Sequence, residues 1–198
     1  MSLPKVIITD FITEPLSIER DVLGKEAELV ALDAMSEKEL VGQIEDATAL
    51  ICYHYLSITR ETLERLPSCR VIVRGGVGYD NIDHVTARSH GIPVCNVPDY
   101  GTEEVADSAL GMILSLARGT HFLQSRLRRG VGEWSVEQAQ PIPRLRGRTL
   151  GIIGCGRIGS AVALRAKALG MKVLFHDPYV PDGLDKSLGI ERADCLDE

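Results

Sequence analysis

The eleven residues TLGIIGCGRIG at 149–159, with an aspartate 18 positions after the last glycine, constrain this chain more than any other stretch. Residues 149–153 are apolar and partly β-branched, the pattern of a strand. Glycines follow at 154, 156 and 159, and an alanine-rich run at 161–170 ends in glycine as a helix does. A second short strand closes on Asp177. Strand, glycine turn, helix and strand with a terminal acid form the βαβ fingerprint of a dinucleotide site. Gly154 allows the sharp turn, Gly156 lets the backbone approach a pyrophosphate, and Gly159 lets the helix pack closely on the sheet. The N–H groups of Arg157 and Ile158 open the helix at the positive end of its dipole. Asp177 stands where a carboxylate accepts from adenosine ribose hydroxyls and repels a 2′-phosphate, which favours NAD over NADP. With 19 glycines in the chain such spacings arise by chance, so the strand–helix–strand context carries the reading. The competing readings are a glycine turn without a ligand and, for Asp177, a strand-end turn residue before Pro178.

A hydrophobic content of 44% in 198 residues supports a buried core in one or two domains. The net charge of -6 excludes a basic nucleic-acid footprint. No apolar stretch approaches the roughly 18 residues of a membrane span, and the N-terminal MSLPKVII lacks a signal-peptide layout. Cys52, Cys69, Cys95, Cys155 and Cys195 are odd in number and scattered, without metal-ligand spacing. They read as reduced thiols, so a cytoplasmic protein without a metal is expected. Cys155, inside the glycine turn, reads as a small filler and not as a nucleophile.

Apolar runs alternate with helical patterns along the first hundred residues. Strands are expected at 6–10, 28–32, 49–53, 70–74 and 93–97, and helices at 17–24, 36–46, 59–66 and 83–90. Ser36 and Glu39 suggest a capping box for the second helix. Five strands alternating with four short helices predict a parallel, doubly wound α/β sheet. From 102 a long helix continues or restarts to about residue 129, with Glu103 and Glu104 in its first turn and Val105, Ala109, Met112, Ile113 and Leu116 at helical spacing. Residues 131–148, with Trp134, Pro141, Pro143 and Gly147, read as an ordered connector. The domain boundary is placed near residue 100.

The segment RGGVGYDNID at 74–83 follows the strand at 70–74, where open α/β sheets place ligands. Its glycines expose backbone N–H groups and Arg74 adds a cation, a combination able to hold a small carboxylate. Equally, it reads as a turn in which Asp80 and Asp83 cap the next helix; the two readings are compatible.

The order of these motifs, with PVCNVP at 93–98, TEEVADS at 102–108 and the Gly154 fingerprint, resembles the D-isomer-specific 2-hydroxyacid dehydrogenases. DPYVPDGLDKSLG at 177–189 and WSVE at 134–137 point to the branch containing the C-terminal-binding protein corepressors. The resemblance runs from about residue 49 onward. It implies a flavodoxin-like parallel-sheet substrate domain at 1–100, followed at 101–198 by the first half of a Rossmann NAD-binding domain that includes an interface helix at 102–129. It implies that backbone N–H groups of Val77 and Gly78 hold a 2-keto acid carboxylate, with Arg74, Tyr53 and His54 lining the same pocket. It implies NAD contacts from Val105, Gly154, Gly156, Arg157, Ile158, Gly159 and Asp177, and a homodimer formed through residues 102–145. His54 is read as a pocket-wall residue without a proton-transfer role.

In such enzymes an arginine polarises the keto group and a histidine, oriented by an acid, donates the proton. By the resemblance those residues lie beyond position 198, so no catalytic residue is expected in this chain. His84, His90, His121 and His176 have surface or helix-end readings. The dinucleotide domain is expected to be incomplete, with sheet edges and apolar faces unpaired. The function implied is an NAD-dependent interconversion of small 2-keto and D-2-hydroxy acids, without nucleic-acid or membrane partners. The alternative is an NAD(H)-sensing, corepressor-like binding protein with little turnover.

Overall fold

The apolar runs of the first hundred residues form five short strands: β1 (Lys5–Ile8), β2 (Glu28–Ala31), β3 (Ala49–Cys52), β4 (Val71–Arg74) and β5 (Val94–Asn96). The structure is a computed structural model and describes residues 3–139 and 142–197. The chain divides into two compact units, Met1–Tyr100 and Gly101–Glu198. In the first, the strands make one parallel sheet in the order β2-β1-β3-β4-β5, the flavodoxin-like arrangement. Ile8 pairs with Ile51 and Cys52 with Arg74, which brings the C-terminal ends of β1, β3 and β4 side by side.

Parallel sheets need crossovers that cover both faces, and β1 reports that cover directly. Ile7 and Ile8 are both fully buried although successive side chains point to opposite faces. Ile7 joins Leu50 and Ile72 on one side, and Ile8 joins Leu16 and Leu29 on the other. Burial of each such side chain stabilises the sheet by about 1.5–3 kcal/mol. The crossovers carry α1 (Ser17–Leu23), α2 (Arg60–Leu63) and α3 (His84–Ser89).

The helix expected at 36–46 does not form. Only a 3-10 turn, Glu37–Leu40, is present, because Val41 is extended and Gly42 takes φ 82°. Leu40 and Ile44, spaced like one helical face, are buried from separate turns. Glu39 accepts from the Ser36 hydroxyl at 2.8 Å and the Met35 amide at 3.2 Å, and Ser36 makes no side-chain cap bond. Its neighbour Glu37 instead accepts from the Thr59 amide and the Thr62 hydroxyl, tying the turn to α2.

In the second unit the stretch at 102–129 is two helices, α4 (Thr102–Arg118) and α5 (Thr120–Arg128). Gly119 separates them at φ 64°, a left-handed conformation that glycine adopts without steric cost. A 3-10 turn, Val136–Ala139, interrupts the connector; Pro141 lies outside the described residues. Then come β6 (Thr149–Ile153), α6 (Arg157–Ala168), β7 (Lys172–His176), α7 (Leu184–Leu188) and β8 (Glu191–Arg192), with the sheet parallel in the order β6-β7-β8. Ala163 and Ala166 bring α6 onto Val173. Ala106 of α4 packs on Ala161 and Val162, and Arg165 ties α6 to Glu103 and Asp107 of α4. The other face of β6 is open, with Ile153 80% exposed. Among the described residues no helix is long and apolar enough to cross a membrane.

Candidate functional sites

The first site lies at the C-terminal ends of β1, β3 and β4. Gly75 and Gly76 are approached closely by side chains: a Cβ on Gly75 would stand 2.4 Å from Cε1 of Tyr53, and one on Gly76 would meet the Arg74 guanidinium. Arg74 therefore lies across the glycine turn with Tyr53 against its other end. The Gly75 amide is spent on Cys52 O and the Gly76 amide on Arg74 O, both at 2.8 Å. The Val77 and Gly78 amides donate to no acceptor among the described residues. Nε of Arg74 is buried without a partner. Two exposed N–H groups beside a guanidinium whose buried Nε lacks a partner make a cradle for a small carboxylate, since a buried donor without a partner is rare. Asn96 steadies the loop by donating to Val77 O at 2.7 Å. Of the sequence-based candidates, Tyr53, Arg74, Val77 and Gly78 thus come together. His54 turns its ring to Phe11 and Tyr55.

Three residues of this site had no assigned role in the sequence reading. Asp10 is fully buried, and its carboxylate accepts from the Tyr53 and Tyr55 amides at 2.8 Å each and from the Thr9 hydroxyl at 2.7 Å. Asn81 donates to the carbonyls of Tyr53 and Leu56. Phe11 stacks on the loop that these two residues fix. Their partners lie about 25–45 residues away, so no local pattern announces them. Burial, with Glu19, Asp10 and Cys52 adding to it, pushes the Tyr53 phenol upward and keeps it a neutral donor. Burial likewise pushes the Cys52 thiol up to about 12, which leaves it inert. Asp83 takes the capping role, accepting from the Thr86 amide at 3.0 Å.

The second site is the turn between β6 and α6. Gly154 holds φ 86°, and its amide donates to His176 O at 2.9 Å. A Cβ on Gly159 would stand 2.1 Å from the Gly154 carbonyl oxygen, so the helix rests directly on the strand end. Gly156 meets nothing within 4 Å and leaves the backbone open to an incoming group. The amides of Gly156, Arg157 and Ile158 donate to no acceptor among the described residues, as expected of a helix start. These features fit a pyrophosphate held by main-chain donors. Val105 stands exposed on the first turn of α4, and its neighbour Ala106 makes the packing contact with α6. Cys155 is buried and its thiol is pushed up by that burial, with the Ser160 hydroxyl opposing. Among the described residues no cluster of three potential metal ligands exists.

Asp177 closes this turn. Its carboxylate accepts from the Tyr179 amide at 2.9 Å and the Cys155 amide at 2.7 Å, which leaves lone pairs for a further donor. Those amides, Tyr179 first, hold its pKa below the ordinary aspartate value of 3.8, against burial, with Val180 and Arg192 adding to the shift. Because the folded form binds the proton more weakly than the unfolded chain, this stabilisation is complete above the ordinary value. It is lost as pH falls through the lower folded value. Asp177→Asn is expected to give a shallower loss of melting temperature below about pH 4, checked by thermal melts from pH 7 to 2.

Residues 6–174 match the catalytic domain of the D-isomer specific 2-hydroxyacid dehydrogenases. The chain is 41% identical over 187 residues to C-terminal-binding protein 1 of Caenorhabditis elegans, covering 92% of this chain and 26% of that protein. It is 37% identical over 194 residues to D-3-phosphoglycerate dehydrogenase of Methanocaldococcus jannaschii, covering 98% and 36%. Among solved structures it is similar to a D-lactate dehydrogenase from Aquifex aeolicus complexed with NAD and lactic acid. The TM-score is 0.82 and the identity 29%, over 96% of this chain and 56% of that one. A NADPH-dependent glyoxylate/hydroxypyruvate reductase from Sinorhizobium meliloti in complex with citrate gives a TM-score of 0.79 at 32% identity, over 99% and 59%. The chain thus spans 26% and 36% of the two curated relatives and somewhat over half of the solved chains.

Proposed function

The chain belongs to the D-isomer specific 2-hydroxyacid dehydrogenase family, and from that premise we propose that it works as an NAD-dependent oxidoreductase interconverting small 2-keto and D-2-hydroxy acids. The observation that carries the reading is one chain holding both a carboxylate cradle, made by Arg74 and the Val77 and Gly78 amides, and a glycine turn with free helix-start amides. In this reading residues 1–100 form the substrate domain and residues 101–198 part of the NAD-binding domain. Gly154, Gly156 and Gly159 shape the pyrophosphate turn, Arg157 and Ile158 donate to it, Asp177 accepts from the ribose, and Val105 borders the nicotinamide. The nicotinamide, when bound, supplies or accepts the hydride. The chain's own residues anchor the acid: Arg74 and the two amides fix its carboxylate, while Tyr53 and His54 wall the site.

We assign the proton donor and the keto-polarising group to no residue of this chain. The rings of His54 and His84 stack on aromatic neighbours, and Nδ1 of His90, His121 and His176 lies within hydrogen-bond distance of a backbone carbonyl. A sensor of the dinucleotide alone needs no carboxylate cradle, so the corepressor-like alternative gains nothing from the first site. Exposed Met112, Leu116, Leu127 and Trp134 support a homodimer built through the α4–α5 segment and its connector. Five free thiols suit a cytoplasmic location.

Absorbance loss at 340 nm, with the natural protein and glyoxylate, pyruvate or hydroxypyruvate, tests the proposal. NADH is expected to be oxidised, and in preference to NADPH; no turnover with any 2-keto acid would overturn it. Arg74→Met is expected to raise KM for the keto acid about 100-fold, the loss of one charge-assisted hydrogen bond to a carboxylate. The Kd for NADH should stay unchanged.

A further inference from the structure

The backbone at Phe11 is the least comfortable in the first unit. Among the described residues only Phe11 and Asp33 have positive φ without being glycine, at 70° and 51°. Aspartate tolerates the left-handed region, whereas a bulky aromatic there is an outlier. The Ile12 amide donates to Asp10 O at 2.8 Å, so Phe11 is the centre of a three-residue turn of the rare, strained kind. Strain of this sort persists where the surroundings over-determine it, and it clusters at ligand sites.

The turn delivers the Phe11 ring to the end of β3. Its centroid lies 4.7 Å from that of His54, 5.3 Å from Tyr53 and 5.6 Å from Tyr55. Asp10, one residue before Phe11, holds the amides of Tyr53 and Tyr55 from beneath, so one buried carboxylate fixes both sides of the stack. The stack is not buried: Phe11 is 45% and Tyr55 47% exposed. It is continuous with the carboxylate cradle, because the Tyr53 ring rests on Gly75. Residues 9–16 and 53–59 contain no lysine or arginine. Among the described residues no cation stands over any of these rings. The acids Asp10 and Glu19 lie near enough to act on Tyr53.

We propose that Phe11, Tyr53, His54 and Tyr55 form the side-chain lobe of the keto-acid site, with Phe11 as its specificity-determining residue, and that the lobe selects 2-keto acids bearing an aromatic side chain over phosphorylated ones. The inference rests on the dehydrogenase reading of the cradle. Edge and face contacts with an aromatic substituent suit four clustered rings. A second anion on the substrate would meet ring faces, with Asp10 buried beneath them and Glu19 near Tyr53, where it needs a cation.

The test is calorimetric titration of the natural protein in the presence of NAD, without turnover, using phenylpyruvate, glyoxylate and 3-phosphohydroxypyruvate. Phenylpyruvate is expected to bind about 10-fold or more tighter than either of the others. Phe11→Gly relieves the left-handed strain, so its melting temperature should not fall. It should nevertheless erase the phenylpyruvate advantage, so that phenylpyruvate binds no tighter than glyoxylate to the same variant, a change in ratio that a purely structural role for the ring would not give. Phe11→Leu, which keeps an apolar side chain, should lose most of the advantage and decides the matter should the glycine variant not fold. Glyoxylate binding without a phenylpyruvate advantage, or an advantage that survives both variants, would overturn the inference and leave the dehydrogenase reading standing. If none of the three acids binds, both fail together.

Discussion

Gly159→Ala is expected to weaken NADH binding about 100-fold, the scale of loss that a misplacement of about 1 Å brings. The added Cβ would stand 2.1 Å from the carbonyl oxygen of Gly154, 3.1 Å from its carbon and 3.3 Å from Cγ2 of Ile152. The closest obstacle is backbone at the end of β6, which cannot rotate away as a side chain does. The helix must therefore lift from the strand and carry the Arg157 and Ile158 amides with it. Gly156→Ala is the informative partner. Its φ of -74° suits any residue, and nothing in the protein lies within 4 Å of the new Cβ. The protein should melt at its usual temperature yet bind NADH poorly, because the methyl enters the space a pyrophosphate needs. Titration of NADH by fluorescence, paired with thermal melts, separates the two. Normal affinity in the Gly156 variant would show that no phosphate approaches there.

Asp10→Ala should cost the first unit about 3 kcal/mol, a large share of the 5–15 kcal/mol that holds a domain folded. Two backbone N–H groups, of Tyr53 and Tyr55, and the Thr9 hydroxyl lose their acceptor together. Asp10 has no solvent exposure, so the cavity left behind offers them little water. Asp10→Asn keeps one carbonyl oxygen and should lose roughly half as much. Urea unfolding of the two variants reads the difference. Equal stability of Asp10→Ala and the parent would mean that the loop is held by other contacts. Keto-acid affinity should fall with stability in this series, since the same loop carries Tyr53 and His54.

What was legible in the sequence was local. Each expected strand of the first unit contains the observed one within a residue or two, because apolar β-branched runs such as Val71–Arg74 have no other way to bury themselves. The glycine turn was legible for the same reason: left-handed φ at Gly154 and contact at Gly159 leave one residue type possible. The stretch at 36–46 misled because Leu40 and Ile44 are four apart, the spacing of a helix. Periodicity reports burial and not the backbone path, and Gly42 at φ 82° sends the chain elsewhere. Of the two courses open at 102–129, a helix that continues or one that restarts, the chain takes the second, at Gly119. Asp10, Phe11 and Asn81 were illegible as site residues. An acid after an apolar run reads as a strand end, and only tertiary structure sets it beneath amides more than 40 residues on.

One parallel pairing, β1 with β3, reaches farther along the chain than the other strand pairings, which bears on the order of assembly. Thr149 pairs with Lys172 and Lys5 with Glu28, each 23 positions on (172 − 149 and 28 − 5), whereas Val6 pairs with Ala49, 43 positions on (49 − 6). Loop closure grows only slowly more costly with length, by about 0.6 kcal/mol per doubling, but non-local pairing lengthens the search for the folded state. The β6-α6-β7 unit can close as soon as its own residues are made. β1 can pair with β2 early, but its other edge stays open until β3 has been synthesised, and β1 is the strand whose neighbouring isoleucines must be covered on both faces. Until then its KVII run has one unpaired edge on a growing chain. The strand whose C-terminal end leads into Asp10 and Phe11 is thus also the one that waits longest along the chain for its second partner.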